Sequence, residues 1–392
     1  MKEIIDVKAL VALVKAAAAE AANYQQRFAA EDTEARKIVD VMETYLRQTG
    51  RIIYGGAAIN AQLKPKHRFY DPTLYLPDYD FMTPDPLQDT ADLITAFQRE
   101  GFQEVEAKLG IHEGTYKIFV NFRAAADITY MPPLLYQDTL RESFVIDGIR
   151  CASPDFLRMN IYVELSRPAG NVERWVKVYE RLLLLNQDHP IKAGRCPAHT
   201  GFHTDSAKLT LTAKIEAAAE KAGAIFLSQQ TPVLLMLDNR DLDFADLGLT
   251  KKTYDALGEL LPARIEFHKP SGTLAAVVFA TVACHADQVE AGRRIASLDL
   301  MIHMYYAIHF ARLDDYFPMR AMCLIQGLVE RQYRLYKEAV KTGAPIVSKI
   351  CLGHQPQMPE LKRAHRKRVL EKREELRRLG IRARSTQKSR SR

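Results

Sequence analysis

The segment Pro77-Asp78-Tyr79-Asp80-Phe81 sets two carboxylates one residue apart among aromatics. On an extended strand residues i and i+2 share a face, so Asp78 and Asp80 project together while Tyr79 and Phe81 turn to the core. Two carboxylates held that close repel. Divalent cations relieve the repulsion, and a pair of them roughly 3.5–4 Å apart is the usual arrangement where phosphoryl or nucleotidyl groups are transferred. Mg2+ suits that task because it takes few protein carboxylates and keeps positions for water and phosphate. A solvated strand edge is the competing reading. Asp127, in Ala126-Asp127-Ile128-Thr129, becomes a third acid of the set if its strand lies beside the first; otherwise it is a turn or helix cap.

A second feature belongs with the acids. Arg51-Ile52-Ile53-Tyr54 reads as a strand that ends at Gly55-Gly56, with a helix beginning at Ala57. Glycines there let the backbone approach a ligand, and the free N–H groups of a helix start favour phosphate oxygens. Tight packing alone would also explain the pair. Further along, Arg174, Lys177 and Arg181 fall at three- and four-residue spacing, one face of a helix, as a phosphate-binding set or a solvated basic face.

The elements needed to hold these groups can be outlined. Residues 7–48 read as helical, with a helix over Thr33–Thr49 stopping at Gly50. Strands are expected at Tyr79–Met82, Tyr116–Phe122 and Ala126–Tyr130, and helices at Asp89–Glu100, Asp155–Leu165 and Val172–Leu185. Strand vocabulary returns at Ala224–Leu227, Val233–Leu237, Arg264–Phe267 and Leu274–Cys284, before helices over Arg293–Ala311 and Pro318–Lys341. Two α/β units in one chain permit a duplication. The second has no Asp-x-Asp after a Gly-Gly turn, and Asp238-Asn239-Arg240-Asp241-Leu242-Asp243 reads as a polar loop.

Strand, Gly-Gly, helix, Asp-x-Asp strand and a later apolar-Asp-apolar strand form the pattern of the polymerase β-type nucleotidyltransferase superfamily. Tyr54-Gly55-Gly56-Ala57-Ala58-Ile59-Asn60, Pro77–Thr83, Ala126–Thr129, Ser153-Pro154-Asp155-Phe156-Leu157-Arg158-Met159, Glu164–Pro168 and Arg174–Leu182 together resemble the poly(A) polymerase catalytic subunit of large and giant DNA viruses. The resemblance implies an α+β fold: a helical segment 1–49, a catalytic nucleotidyltransferase domain 50–150, a helical connector 151–195, a degenerate nucleotidyltransferase-like domain 196–355 and a basic tail 356–392. It implies template-independent transfer of AMP from ATP to RNA 3′ ends with two Mg2+ or Mn2+ ions. Asp78 and Asp80 would then bind both ions, Asp127 would complete the site of the ion that activates the 3′-hydroxyl, and Gly55 and Gly56 would cradle the β- and γ-phosphates, with Asn60 assisting. Lys177 is the first candidate for the remaining phosphate charge, followed by Arg167, Arg174 and Arg181. Homodimers are implied for some family members. This chain departs from many superfamily members in having Gly56 where they have Ser, and in a long stretch from Gly56 to Asp78 containing Lys64, Lys66, His67 and Arg68.

Composition bounds the alternatives. The 392 residues carry 55 Lys plus Arg against 48 Asp plus Glu. Residues 359–392 hold 14 of the former and 4 of the latter, leaving 41 against 44 for residues 1–358. A cationic tail on a slightly acidic body suggests a polyanionic partner such as single-stranded RNA, with Lys362, Arg363, Arg366, Lys367 and Arg368 as contacts or as a nuclear import signal. There is no apolar run long enough to span a membrane and no secretory leader pattern, so an intracellular protein is expected, in host cytoplasm, virion or nucleus. Cys151, Cys284 and Cys323 lie in apolar company and are expected to be reduced core thiols. Cys196, His199 and His203 have spacing that would suit zinc, with a polar loop as the alternative. A different RNA nucleotidyltransferase and a non-catalytic RNA-binding subunit both remain open.

Overall fold

The computed structural model describes residues 7–70, 77–196, 206–228, 232–238, 242–257, 260–281, 283–313, 316–317, 320–343, 350–354 and 356–378. Helices α1 (Val7–Glu31) and α2 (Thr33–Thr49) come first, followed by β1 (Ile52–Tyr54), α3 (Gly55–Gln62), β2 (Tyr79–Thr83), α4 (Pro86–Arg99), β3 (Val105–Leu109), β4 (Thr115–Val120), β5 (Arg123–Tyr130), α5 (Pro133–Glu142), β6 (Phe144–Ile146) and β7 (Ile149–Cys151). Helices α6 (Pro154–Leu165) and α7 (Trp175–Asp188) connect to a second unit. It comprises α8 (Ser206–Lys221), β8 (Ile225–Ser228), β9 (Val233–Leu237), β10 (Thr250–Tyr254), β11 (Ala263–His268), β12 (Leu274–Ala280), β13 (His285–Glu290), β14 (Arg293–Ala296), α9 (Leu298–Phe310), α10 (Ala321–Thr342) and β15 (Ile350–Leu352), and α11 (Met358–Arg378) ends the described chain.

Local chemistry sets the element ends. Asp32 accepts from the N–H groups of Glu34 and Ala35 and starts α2, and Gly50 closes it in the left-handed conformation with φ +63°. Ile38, Val41, Met42, Tyr45 and Leu46 are buried along the helix stripe that packs on the first sheet.

Strand order in the first sheet is β3-β4-β5-β2-β1-β7-β6, and in the second β10-β11-β12-β9-β8-β14-β13-β15. Each strand of the first sheet has a counterpart seven strands later with the same neighbours and directions. Thus β2 is antiparallel to β1 and parallel to β5, while β9 is antiparallel to β8 and parallel to β12. Likewise β7 runs parallel to β1 and β14 to β8, with β15 added at the edge. The second half therefore repeats the first as architecture. A continuous apolar core spans both halves through α6, α9 and α10.

Three expectations are corrected. The helix over Arg293–Ala311 is a strand and a shorter helix: Arg293–Ala296 pairs with β13, and the Ser297 side chain caps α9 by accepting from the Leu300 N–H. The strand Leu274–Cys284 ends at Ala280, and a separate strand starts at His285. Cys284 and Cys323 are not free thiols, because folding brings them to partners. Cys284, one residue before β13, stands against Cys351 of β15 at a Cα separation of 5.3 Å, and the chain after α7 brings Cys196 to Cys323 of α10 at 5.7 Å, with a disulfide at each. Cys151 stays a buried free thiol. His199 and His203 lie outside the described residues, as do residues 239–241 and 379–392. Asp243 accepts from the N–H groups of Phe244 and Ala245, as a turn residue does.

Candidate active site

Strand alternation divides the first sheet into two faces. Phe81, Ile118, Val120, Ala126 and Ile128 are buried on one. The acids are on the other. Register sets Asp80 opposite Asp127 on parallel strands, Lys117 opposite Asp127 on the next strand, and Tyr54 opposite Asp80 on β1. The Tyr54 hydroxyl is 2.9 Å from Thr129 Oγ1 across that face. A buried anchor holds the strand ends from behind. Asp89, only 1 % exposed, accepts from the Tyr45 hydroxyl, from Arg51 Nε at 2.8 Å and from Thr83 Oγ1, tying α2, the start of β1, β2 and α4 together.

The acids perturb one another. Burial first, then the charges of Asp78 and Asp127, push Asp80 up to about 7, with Lys117 and Arg174 opposing. Asp78 is exposed one residue before β2, yet surrounding protein removes part of its hydration, and that loss followed by the Asp127 charge raises it too. The Asp127 carboxylate is turned to Lys117 Nζ in a close ion pair. Among the described residues no three His, Cys, Asp or Glu groups are gathered as they would be around an ion. The chemistry of the donors still suits a hard divalent cation: Asp80 and Asp127 are carboxylates side by side on one strand pair, and Asp78 lies one residue before it.

The glycine turn abuts this cluster. Gly55 has φ +71°, and a Cβ there would stand 2.5 Å from Asp80 Oδ2, so both conformation and space require glycine. A Cβ on Gly56 would meet the Tyr70 hydroxyl at 2.8 Å and Arg181 Nη1 at 2.9 Å. Both glycines open α3, whose first N–H groups have no intrahelical acceptor.

The other expected site residues separate. Arg174, in the 3₁₀ turn Val172–Arg174 before α7, forms two hydrogen bonds to Glu164, at 3.0 and 3.1 Å, while its charge reaches Asp80. Arg181 lies against the Gly56 backbone, and Lys177 is exposed on α7. Asn60 is committed to the chain: its Oδ1 accepts from the N–H groups of Phe69 and Tyr70, each at 2.9 Å. Arg167 acts on the second half. Burial first and the Arg167 charge second push His285 down to about 3, and the same two causes lower His303. On α11, Lys362, Arg363, Arg366 and Lys367 are exposed, whereas Arg368 donates to the Ile111 carbonyl at 2.7 Å and His365 lies 2.8 Å from that of Leu109. The cationic helix is thus docked on the β3–β4 hairpin. Lys117 had no signal in the linear sequence; only strand register reveals it.

At the corresponding place in the second sheet, β9 and β12 pair Leu234 with Val277, both fully buried. That half repeats the strands without the acids.

The sequence model of the family described as "Poly(A) polymerase catalytic subunit" matches residues 40–171, which contain Asp78, Asp80, Asp127, Gly55 and Gly56. A relative from Acanthamoeba polyphaga mimivirus is 37% identical over 165 residues, 41% of this chain and 27% of the relative. One from African swine fever virus (isolate Tick/Malawi/Lil 20-1/1983) is 26% identical over 172 residues, 42% of this chain and 36% of the relative. Both carry the provisional name poly(A) polymerase catalytic subunit, and the matched stretch spans about a quarter to a third of their length. The crystal structure of the Megavirus polyadenylate synthase superposes with a TM-score of 0.76 at 18% identity, covering 96% of this chain and 84% of that one. Over residues 40–171 this chain is therefore similar in sequence to the poly(A) polymerase catalytic subunits of large DNA viruses, and over nearly its whole length it has the fold of the Megavirus polyadenylate synthase.

Proposed function

We propose that the chain is a template-independent polynucleotide adenylyltransferase that adds AMP from ATP to the 3′ end of mRNA. The observation that carries this reading is the pairing of Asp80 with Asp127 on parallel strands, beside a glycine turn that a side chain would block. Asp78, Asp80 and Asp127 would hold two Mg2+ or Mn2+ ions, which when bound stabilise charge on the attacking and leaving oxygens. The chain's own groups do the rest. Gly55 and Gly56 offer backbone N–H groups to the triphosphate. Asp127 accepts the proton of the 3′-hydroxyl as its oxygen bonds to the α-phosphorus, and the bond from that phosphorus to the β-phosphate bridge breaks to release pyrophosphate. Lys117 and Arg174 offset the negative charge of the cluster.

Residues 1–49, 50–150, 151–195, 196–355 and 356–392 serve in this reading as helical support, catalytic domain, connector, degenerate nucleotidyltransferase-like second domain and RNA-holding tail. Exposed Lys362, Arg363, Arg366 and Lys367 support the last role. The quaternary reading is a homodimer, checked by light scattering of the purified chain. No described helix is long and apolar enough to cross a membrane. The expected location is a cytoplasmic replication site or the virion. Imaging of a Lys362/Arg363-substituted chain tests the alternative, nuclear import.

The direct test incubates the chain with single-stranded RNA and each nucleoside triphosphate in turn, with Mg2+ or Mn2+. Long tails from ATP alone are expected. Single additions, or equal use of all four nucleotides, would point to another nucleotidyltransferase, and no transfer at all to an RNA-binding subunit.

A further inference from the structure

The stretch between Gly56 and Asp78 builds a seat for one side chain. Its described part, up to Tyr70, is held at two places. The Asp188 carboxylate accepts from Lys64 N at 2.8 Å and lies 2.7 Å from His67 Nδ1, while Asn60 clamps Phe69 and Tyr70 through their N–H groups. The two rings so delivered stand edge to face, 4.6 Å between centroids. The Arg181 guanidinium lies on them, 4.5 Å from the centre of Phe69 and 5.3 Å from that of Tyr70, and its Nη2 donates to the Tyr70 hydroxyl at 2.6 Å. Its Nη1 stands 2.9 Å from where a Gly56 Cβ would be. Two rings and a hydroxyl thus hold Arg181, whereas a carboxylate, that of Glu164, holds Arg174.

We infer that Arg181 is the cation that distinguishes a triphosphate from a monophosphate at the glycine turn, and that Phe69, Tyr70 and Asn60 are positioning residues that aim it. An arginine stacked on two rings and fixed by a hydroxyl keeps Nη1 toward the turn, where the α3 N–H groups already attract phosphate oxygen. This rests on the proposed function, because it assumes that ATP occupies that turn, and it shifts the main phosphate contact from exposed Lys177 to half-buried Arg181.

Equilibrium binding of ATP, ADP and AMP in Mg2+ tests it. The unaltered chain should prefer ATP to AMP. Arg181→Gln should lose roughly tenfold to a hundredfold in ATP affinity while keeping its AMP affinity, so the preference collapses. Retained AMP binding shows that the variant is folded. Arg181→Lys should recover part of the preference. Tyr70→Phe, which keeps the ring and removes the hydroxyl, should raise KM for ATP several-fold with kcat nearly unchanged. If Arg181→Gln preserves the ATP-to-AMP ratio, or lowers both affinities equally, the inference is wrong while the proposed function stands. If the unaltered chain neither prefers ATP nor transfers AMP, the proposed function fails and the inference with it.

Discussion

Asp80 and Asp127 are register partners on adjacent parallel strands, and Lys117 is the partner of Asp127 on its other side. Two acids and a base thus cross the sheet in one row, and only the lysine offsets their charge from within it. Asp80→Asn and Asp127→Asn should each lower AMP incorporation on the order of a thousandfold with RNA affinity nearly intact. Single-turnover incorporation beside a filter-binding assay checks this, and activity kept within threefold would remove these residues from the site.

Titration of the cluster gives a stability signature. The folded pKa of Asp80, about 7, lies above the unfolded value of roughly 4. Between those limits the folded chain holds a proton that the unfolded chain has released. Stability from this group is full below pH 4, falls as pH rises toward 7, and levels off above it. In EDTA, Tm should decline more steeply from pH 5 to 7.5 for the unaltered chain than for Asp80→Asn. Added Mg2+ should raise Tm more at pH 7.5 than at pH 5, and identical slopes for the two chains would contradict the assignment.

Gly55 and Gly50 both have positive φ, at +71° and +63°, but their surroundings differ. A Cβ at Gly50 meets only Arg150 Nε at 4.0 Å, whereas one at Gly55 strikes the Asp80 carboxylate. Gly50→Ala should cost about 1–2 kcal/mol of stability and spare activity. Gly55→Ala should cost at least that and abolish transfer. Denaturation curves and incorporation rates measured on both variants separate the two effects.

Asp89 joins α2, β1, β2 and α4 from a fully buried position, with Arg51 as its cation. Asp89→Ala leaves Arg51 without that carboxylate and frees the Tyr45 and Thr83 hydroxyls, an expected loss of about 3–5 kcal/mol in urea denaturation. A loss under 1 kcal/mol would show that the network does not hold the sheet.

Deletions in the tail should have two different effects. Removing residues 379–392 takes five Lys plus Arg and no acid, so RNA binding should weaken and its salt slope shallow by up to about 3.5. Removing residues 359–392 also strips α11 from the Leu109 and Ile111 carbonyls of the β3–β4 hairpin. That deletion should lower Tm as well. Unchanged salt slopes in both would exclude the tail from RNA binding.

How much of the fold and site is legible in the sequence depends on the range over which each signal acts. Asp32, Gly50 and the apolar stripe of α2 are local, and the helix runs from Thr33 to Thr49 as its sequence indicates. Asp78 and Asp80 show their alternation within three residues, and the Gly-Gly turn within two. That Asp127 stands beside Asp80 needed a parallel pairing across 47 positions, which the sequence offers only as a condition. Lys117 and the two disulfides depend wholly on which strands and helices become neighbours. The helix misassigned at Arg293 has a similar cause, because Arg293 and Arg294 are drawn into a strand by β13 and by ion pairs to Glu216, Glu220 and Asp287. Asn60 is a polar residue at the right place for phosphate, yet its oxygen serves the backbone of Phe69 and Tyr70.

The second sheet keeps all the strand pairings of the first while Leu234 and Val277 face each other where Asp80 and Asp127 do. Freed of mutually repelling charges, that strand pair can be packed wholly with hydrocarbon, and a protein of this kind carries its own uncharged reference. Comparing amide exchange of β2 and β5 with that of β9 and β12 would measure, inside one molecule, how much rigidity a sheet gives up in order to hold acids.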